Sequence, residues 1–87
     1  MEYPQNLRDM DDQQRNAQRM GRLLRKLRQK KGWTLEETED HGWHDWKYLQ
    51  KIETGQNITV ATLFKLFEIY GVRSERLIKH LESALKL

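Results

Sequence analysis

The sequence predicts an all-α fold of five helices, and three observations carry that expectation. Apolar residues recur at i, i+3, i+4 and i+7 in several segments, the spacing that lines one face of a helix. No segment alternates apolar and polar residues with the period of two that a half-buried strand needs. The only proline is Pro4, and four of the five glycines fall between the periodic segments, where breakers do no harm.

Taken in chain order, residues 1–8 read as a frayed end. From about Asp9 to Lys31 the one breaker is Gly21, and Met20, Leu23, Leu24 and Leu27 form a single apolar stripe. Ahead of Met20 there is little to bury beyond Met10 and Ala17, so that stretch is either a solvent-exposed helix or disordered, with disorder the simpler option. Gly32 suits the position just past the helix, with Lys30 and Lys31 complementing the negative end of the dipole. Thr34 with Glu37 three residues on makes a capping box, and the helix it opens is short because His41-Gly42 breaks it. Asp45 then caps a third helix whose Tyr48, Leu49 and Ile52 face inward, and Gly55 ends it. Thr59 caps a fourth, "VATLFKLFEIY", whose Leu63, Phe64, Leu66, Phe67 and Tyr70 mark the centre of the core before Gly71. Ser74 caps the last helix, with Leu77, Ile78, Leu81 and Leu85 repeating along it.

Length and composition narrow the functional classes. Eighty-seven residues make one domain with a modest core. A hydrophobic share of 37% against 33% charged is that of a folded soluble chain. No apolar run approaches the roughly 20 residues of a membrane span, so no membrane association is expected. The absence of cysteine excludes disulfides and thiolate metal sites and makes a cytoplasmic location the expectation. The formal net charge is +3, but its distribution is uneven. Residues 20–31 carry six cations and no acid, whereas residues 32–56 carry two cations against six carboxylates. A basic helix suits a polyanion, although solvated basic faces are common.

Two short helices joined by a tight turn, residues 34–41 and 45–53, packed on a basic first helix, describe a helix-turn-helix. The second helix fits a major groove, and the first holds it at a fixed angle. Over residues 21–72, "GRLLRKLRQKKGWTLEETEDHGWHDWKYLQKIETGQNITVATLFKLFEIYGV", the chain resembles the phage-repressor and Cro-type helix-turn-helix domains of the XRE family. Gly21, Leu24, Leu27 and Arg28 match the first-helix pattern, and Thr34, Glu36 and Glu37 the start of the second. "YLQKIETG" matches the third helix and "LFKLFEIYGV" the one after it. The resemblance implies a five-helix repressor-like fold, made of a helix-turn-helix domain over 20–72 and a C-terminal helix over 73–87; ahead of it lies the N-terminal extension over 1–19, partly disordered or helical. That last helix packs on the domain and can double as a dimer seam.

The resemblance also implies roles for individual residues. Arg28 and Glu53 would form a partly buried ion pair joining the first and third helices, a structural device. Trp46, Lys47 and Lys51 would face the groove, with His44 and Asp45 at the start of the reading helix and Gln50 at its edge. Phosphate contacts would come from Thr34 and Leu35 and from the loop that begins Gln56-Asn57. Three positions depart from the family pattern. Leu35 replaces a glutamine able to touch phosphate or base, and Glu39 stands where a small residue packs against the third helix. The turn glycine is displaced to Gly42, leaving Trp43 in its usual place. Either the turn is rebuilt around Gly42, or the two helices cross at an unusual angle.

Each side chain also has a plainer use. Trp46 can touch thymine methyl groups, anchor a protein partner, or pack against Trp43. Asp45 can accept from a cytosine amino group, but a helix cap is the simpler role. Lys47 and Lys51, one turn apart, are the best base or phosphate pair in the segment. His41 and His44 with Asp40 and Asp45 span a turn without further ligands, so neither metal nor cofactor is expected. Nothing forms a catalytic constellation, and no enzymatic activity is expected. Two functions of different kinds remain. One is a sequence-specific DNA-binding regulator, a homodimer on a palindromic operator. The other is the same scaffold gripping a protein through Trp43, Trp46 and Tyr48. An antitoxin-like component whose DNA binding depends on a partner is a weaker third.

Overall fold

A computed structural model describes residues 5–73, 75, 76, 79, 82 and 83, and for residues 5–11 the backbone alone. The described chain is all-α: helix α1 spans Gln5–Lys31, a 3-10 helix Glu36–His41, α2 Trp46–Glu53 and α3 Val60–Ile69. Residues 75, 76, 79, 82 and 83 are helical too. The expected cap Ser74 and the stripe Leu77, Ile78, Leu81 and Leu85 lie outside the described residues, as do residues 1–4 of the expected frayed end. No described helix is long and apolar enough to cross a membrane.

Helix α1 is continuous from Gln5, about 40 Å long at 1.5 Å per residue. Its packed part begins at Ala17, and Met20 and Leu24 from its stripe are buried, with Leu23 and Leu27 packed alongside. Gly21 sits where α1 crosses the end of α2. A Cβ there would lie 2.5 Å from the carbonyl oxygen of Ile52 and 2.8 Å from that of Glu53, closer than carbon tolerates, so only glycine permits the crossing.

From α2, Leu49 and Ile52 enter the core, and from α3 Leu63, Leu66, Phe67 and Tyr70 do. Phe64, expected at the core's centre, is 47% exposed, and Val60 one turn earlier is 65% exposed. The stripe 63, 66, 67, 70 already occupies the inward face, and at 100° per residue position 64 falls on its flank. Apolarity alone misplaced it.

The second helix is 3-10 rather than α. Thr38 locks a tighter turn. Its amide donates to Leu35 O at 3.2 Å and its hydroxyl to the same oxygen at 2.5 Å. The capping box ahead of it forms in both directions. Thr34 N donates to Glu37 Oε1 at 2.9 Å, and Glu37 N to Thr34 Oγ1 at 3.1 Å.

Candidate nucleic-acid interface

The turn between the 3-10 helix and α2 is rebuilt around Gly42, which takes φ 109° and donates its N–H to Thr38 O. Trp43 follows with its side chain in the core, 2% exposed, and its indole N–H donates to Asp45 O at 2.6 Å. The ring packs beside Tyr48 and His44, at centroid separations of 5.9 Å and 4.5 Å. Trp43 is therefore a core residue that pins the turn. The expectation that it helps grip a protein partner is corrected: its surface is spent inside the domain. Trp46 is half-buried and carries the Lys47 ammonium 5.9 Å from its ring centre.

The tightened second helix also changes which residue meets α2. Thr38 is fully buried, whereas Glu39, assigned by register to the close-packing position, is exposed. Glu39 turns toward α2 and accepts the Trp46 N–H at 2.9 Å. Asp45 accepts from Lys47 N at 3.0 Å and Tyr48 N at 3.4 Å with one oxygen, Oδ1. Three amides at the positive end of α2 thus have carboxylate partners from the chain itself. Asp45 as a cap is legible locally. Glu39 is not, because a contact spanning seven residues across a turn leaves no local pattern.

Beyond these caps α2 presents one polar face. Lys47, Gln50, Lys51 and Thr54, at i, i+3, i+4 and i+7, are all exposed, opposite buried Leu49 and Ile52. The Thr54 hydroxyl donates to Gln50 O at 3.1 Å and Lys51 O at 2.9 Å, closing the helix. Gln56 and Asn57 are exposed just past it, and His44 is exposed just before it. Thr34 is exposed with its amide and hydroxyl engaged in the capping box, so the box, not a phosphate, holds both groups. Leu35 is half-buried against the core, and its side chain is a packing element rather than a phosphate contact.

What fixes α2 relative to α1 is Arg28. Its guanidinium grips Glu53 through two bonds, Nε to Oε2 at 2.8 Å and NH2 to Oε1 at 2.9 Å. A third donor reaches Trp33 O at 2.7 Å and so ties in the α1 exit turn. The side chains are 10% and 5% exposed, and bonding to Glu53 raises the Arg28 pKa despite the opposing effect of burial. Next to the pair, the Tyr70 hydroxyl is buried with no described hydrogen-bond partner, and burial pushes its pKa well above the ordinary phenol value. His41 stacks on Trp33 at 3.7 Å, with ring planes 8° apart. Among the described residues no three His, Cys, Asp or Glu side chains group as a metal site.

The profile of the helix-turn-helix family matches residues 24–77, more than half of the chain. No curated protein and no solved structure matches it.

Proposed function

Because the chain belongs to the XRE/Cro-type helix-turn-helix family, we propose that it is a sequence-specific DNA-binding transcriptional regulator that lays α2 in the major groove as a homodimer on a palindromic operator. The observation that carries this reading is the exposed stripe Lys47, Gln50, Lys51 and Thr54 on a helix held rigidly by the Arg28–Glu53 clamp. Lysine suits guanine O6 and N7, and glutamine suits adenine N6 and N7. Trp46 adds an apolar surface at the start of the helix. Gln56, Asn57 and the Leu35 amide flank it as phosphate contacts, with His44 and Asp45 beside the first bases.

The test is a labelled-duplex titration with random and selected sequences at several salt concentrations. If each of two copies neutralises two phosphates through Lys47 and Lys51, log Kd changes with log salt by about 4. Lys47→Ala then lowers that slope by about 2 per dimer. Binding that is neither salt-sensitive nor selective rules the regulator out.

A second reading, the scaffold as a protein-binding module, draws on the carboxylates Glu39 and Asp45 around half-buried Trp46 and Tyr48. It requires retention of a partner protein by the wild-type chain and loss of that retention in Trp46→Ala, without DNA.

A further inference from the structure

A second concave feature lies away from α2, where the last turn of α1 meets the chain after Gly71. Lys30 and Lys31 enter it from α1, and Arg76 and Lys79 from the helical segment beyond. Three residues apart, Arg76 and Lys79 share one helix face. Leu27 and Val72 supply an apolar floor to a cavity of about 530 Å³. Four cations therefore converge with no carboxylate among the described lining residues. The ion pairs formed among the described residues are Arg15–Asp12 and Arg28–Glu53, neither of which involves them.

The simplest account of Lys30 and Lys31 is that they offset the negative end of the α1 dipole. That end is worth roughly half a charge, too little for four cations that include two from another element. Nor does a DNA backbone suit the shape: a phosphodiester needs no apolar floor, whereas the volume falls within the roughly 300–1,000 Å³ of small-molecule sites. No described lining residue belongs to α2 or to the loops beside it.

We propose that this cleft binds an anionic small molecule, one or two phosphate groups on an apolar or aromatic body. The phosphates sit among Lys31, Arg76 and Lys79 and the body lies over Leu27 and Val72. This site stands independently of the DNA-binding reading, and an occupant leaves α2 open.

The test titrates the full chain, observed by amide NMR, with adenosine diphosphate and in parallel with inorganic pyrophosphate. Saturable shifts at Lys31, Gly71 and Val72 are expected with the diphosphate, and weaker binding at the same amides with pyrophosphate, which lacks the body. Lys31→Gln combined with Arg76→Gln should weaken the nucleotide by at least about tenfold, the loss of charge-assisted bonds. Lys47→Ala should leave nucleotide binding unchanged. The proposal is overturned by absence of saturation at millimolar nucleotide, by equal shifts at Lys47 and Lys51, or by pyrophosphate binding as tightly as the nucleotide. It is overturned as well if the double variant weakens a DNA duplex as much as Lys47→Ala does, because the cleft is then part of a DNA-backbone surface.

Discussion

Replacing Arg28 by methionine tests the joint that fixes α2 on α1. The substitution keeps most of the side-chain volume and removes both donors from a Glu53 carboxylate that is only 5% exposed. It also releases Trp33 O, the acceptor that ties α1 to the turn after it. Stranding one member of a buried pair costs about 3–5 kcal/mol, a large part of the 5–15 kcal/mol typical of a whole domain. For a chain of this length that is a fall in Tm of roughly 12–40 °C, at about 4–8 °C per kcal/mol. Replacing both residues, Arg28→Met with Glu53→Met, removes the stranded charge and should recover at least about 2 kcal/mol relative to the sum of the single changes. Urea unfolding followed by tryptophan fluorescence and circular dichroism measures all three variants. An Arg28→Met loss below about 1 kcal/mol, or strictly additive losses, would refute the claim that this pair is a desolvated clamp.

Four other outcomes follow from the same geometry. Gly21→Ala forces α1 and α2 apart at a 2.5 Å approach and should destabilise by about 1–3 kcal/mol, the usual cost of overpacking, despite alanine's higher helix propensity; thermal melts check it. Tyr70→Phe removes a buried hydroxyl that has no described partner, so stability measured by urea unfolding should hold or rise, and a loss above about 1 kcal/mol would reveal a bonded group. Bonds from the Thr34 amide and hydroxyl hold the Glu37 carboxyl below its ordinary range. Its contribution is present above the unfolded pKa and lost as pH falls through the folded one, so Glu37→Gln should flatten the acid limb of a Tm–pH profile. Glu39→Ala leaves the Trp46 amide without its acceptor and should lower stability by about 0.5–1 kcal/mol. It also removes a negative charge beside α2, so DNA affinity should rise at low salt and the gain should fade as salt screens it; equal affinity at every salt would show that the charge lies outside the field of the DNA.

Local chemistry made much of this fold legible. The capping box at Thr34, the cap at Asp45 and the stripes in α1 and α3 each depend on residues within one or two turns, which is the range that a pattern encodes. The Arg28 and Glu53 positions came only through the family resemblance, since 25 residues separate them. Phe64 is as apolar as its neighbours but lies on the flank of α3, an angle that hydrophobicity alone does not encode. Glu39 failed because register was carried over from α-helical relatives, whereas a 3-10 helix turns faster per residue and delivers Thr38 to the packed position instead. The basic cleft was hidden because its two pairs of cations, Lys30 with Lys31 and Arg76 with Lys79, are 45 or more residues apart in sequence.

The displaced glycine and the two misfit side chains are one structural change. With Gly42 taking the left-handed position, Trp43 can drop into the core, and its indole N–H fixes the Asp45 carbonyl that also receives the first α2 hydrogen bond, from Leu49 N at 3.1 Å. The tight 3-10 helix then swings Glu39 onto the Trp46 amide. The result is a rigid α2 whose N-terminal end is sealed by two carboxylates, and this constrains any readout. A phosphate cannot use those amides without displacing Asp45 or Glu39, so in the proposed DNA complex backbone affinity would have to come from Lys47, Lys51 and the flanking loops. What remains at the sealed end is acceptor chemistry, suited to the amino groups of cytosine or adenine, next to donors suited to guanine one turn on. An operator half-site read by this helix would therefore place an amino-bearing base edge beneath Asp45 and a guanine beneath Lys47 or Lys51.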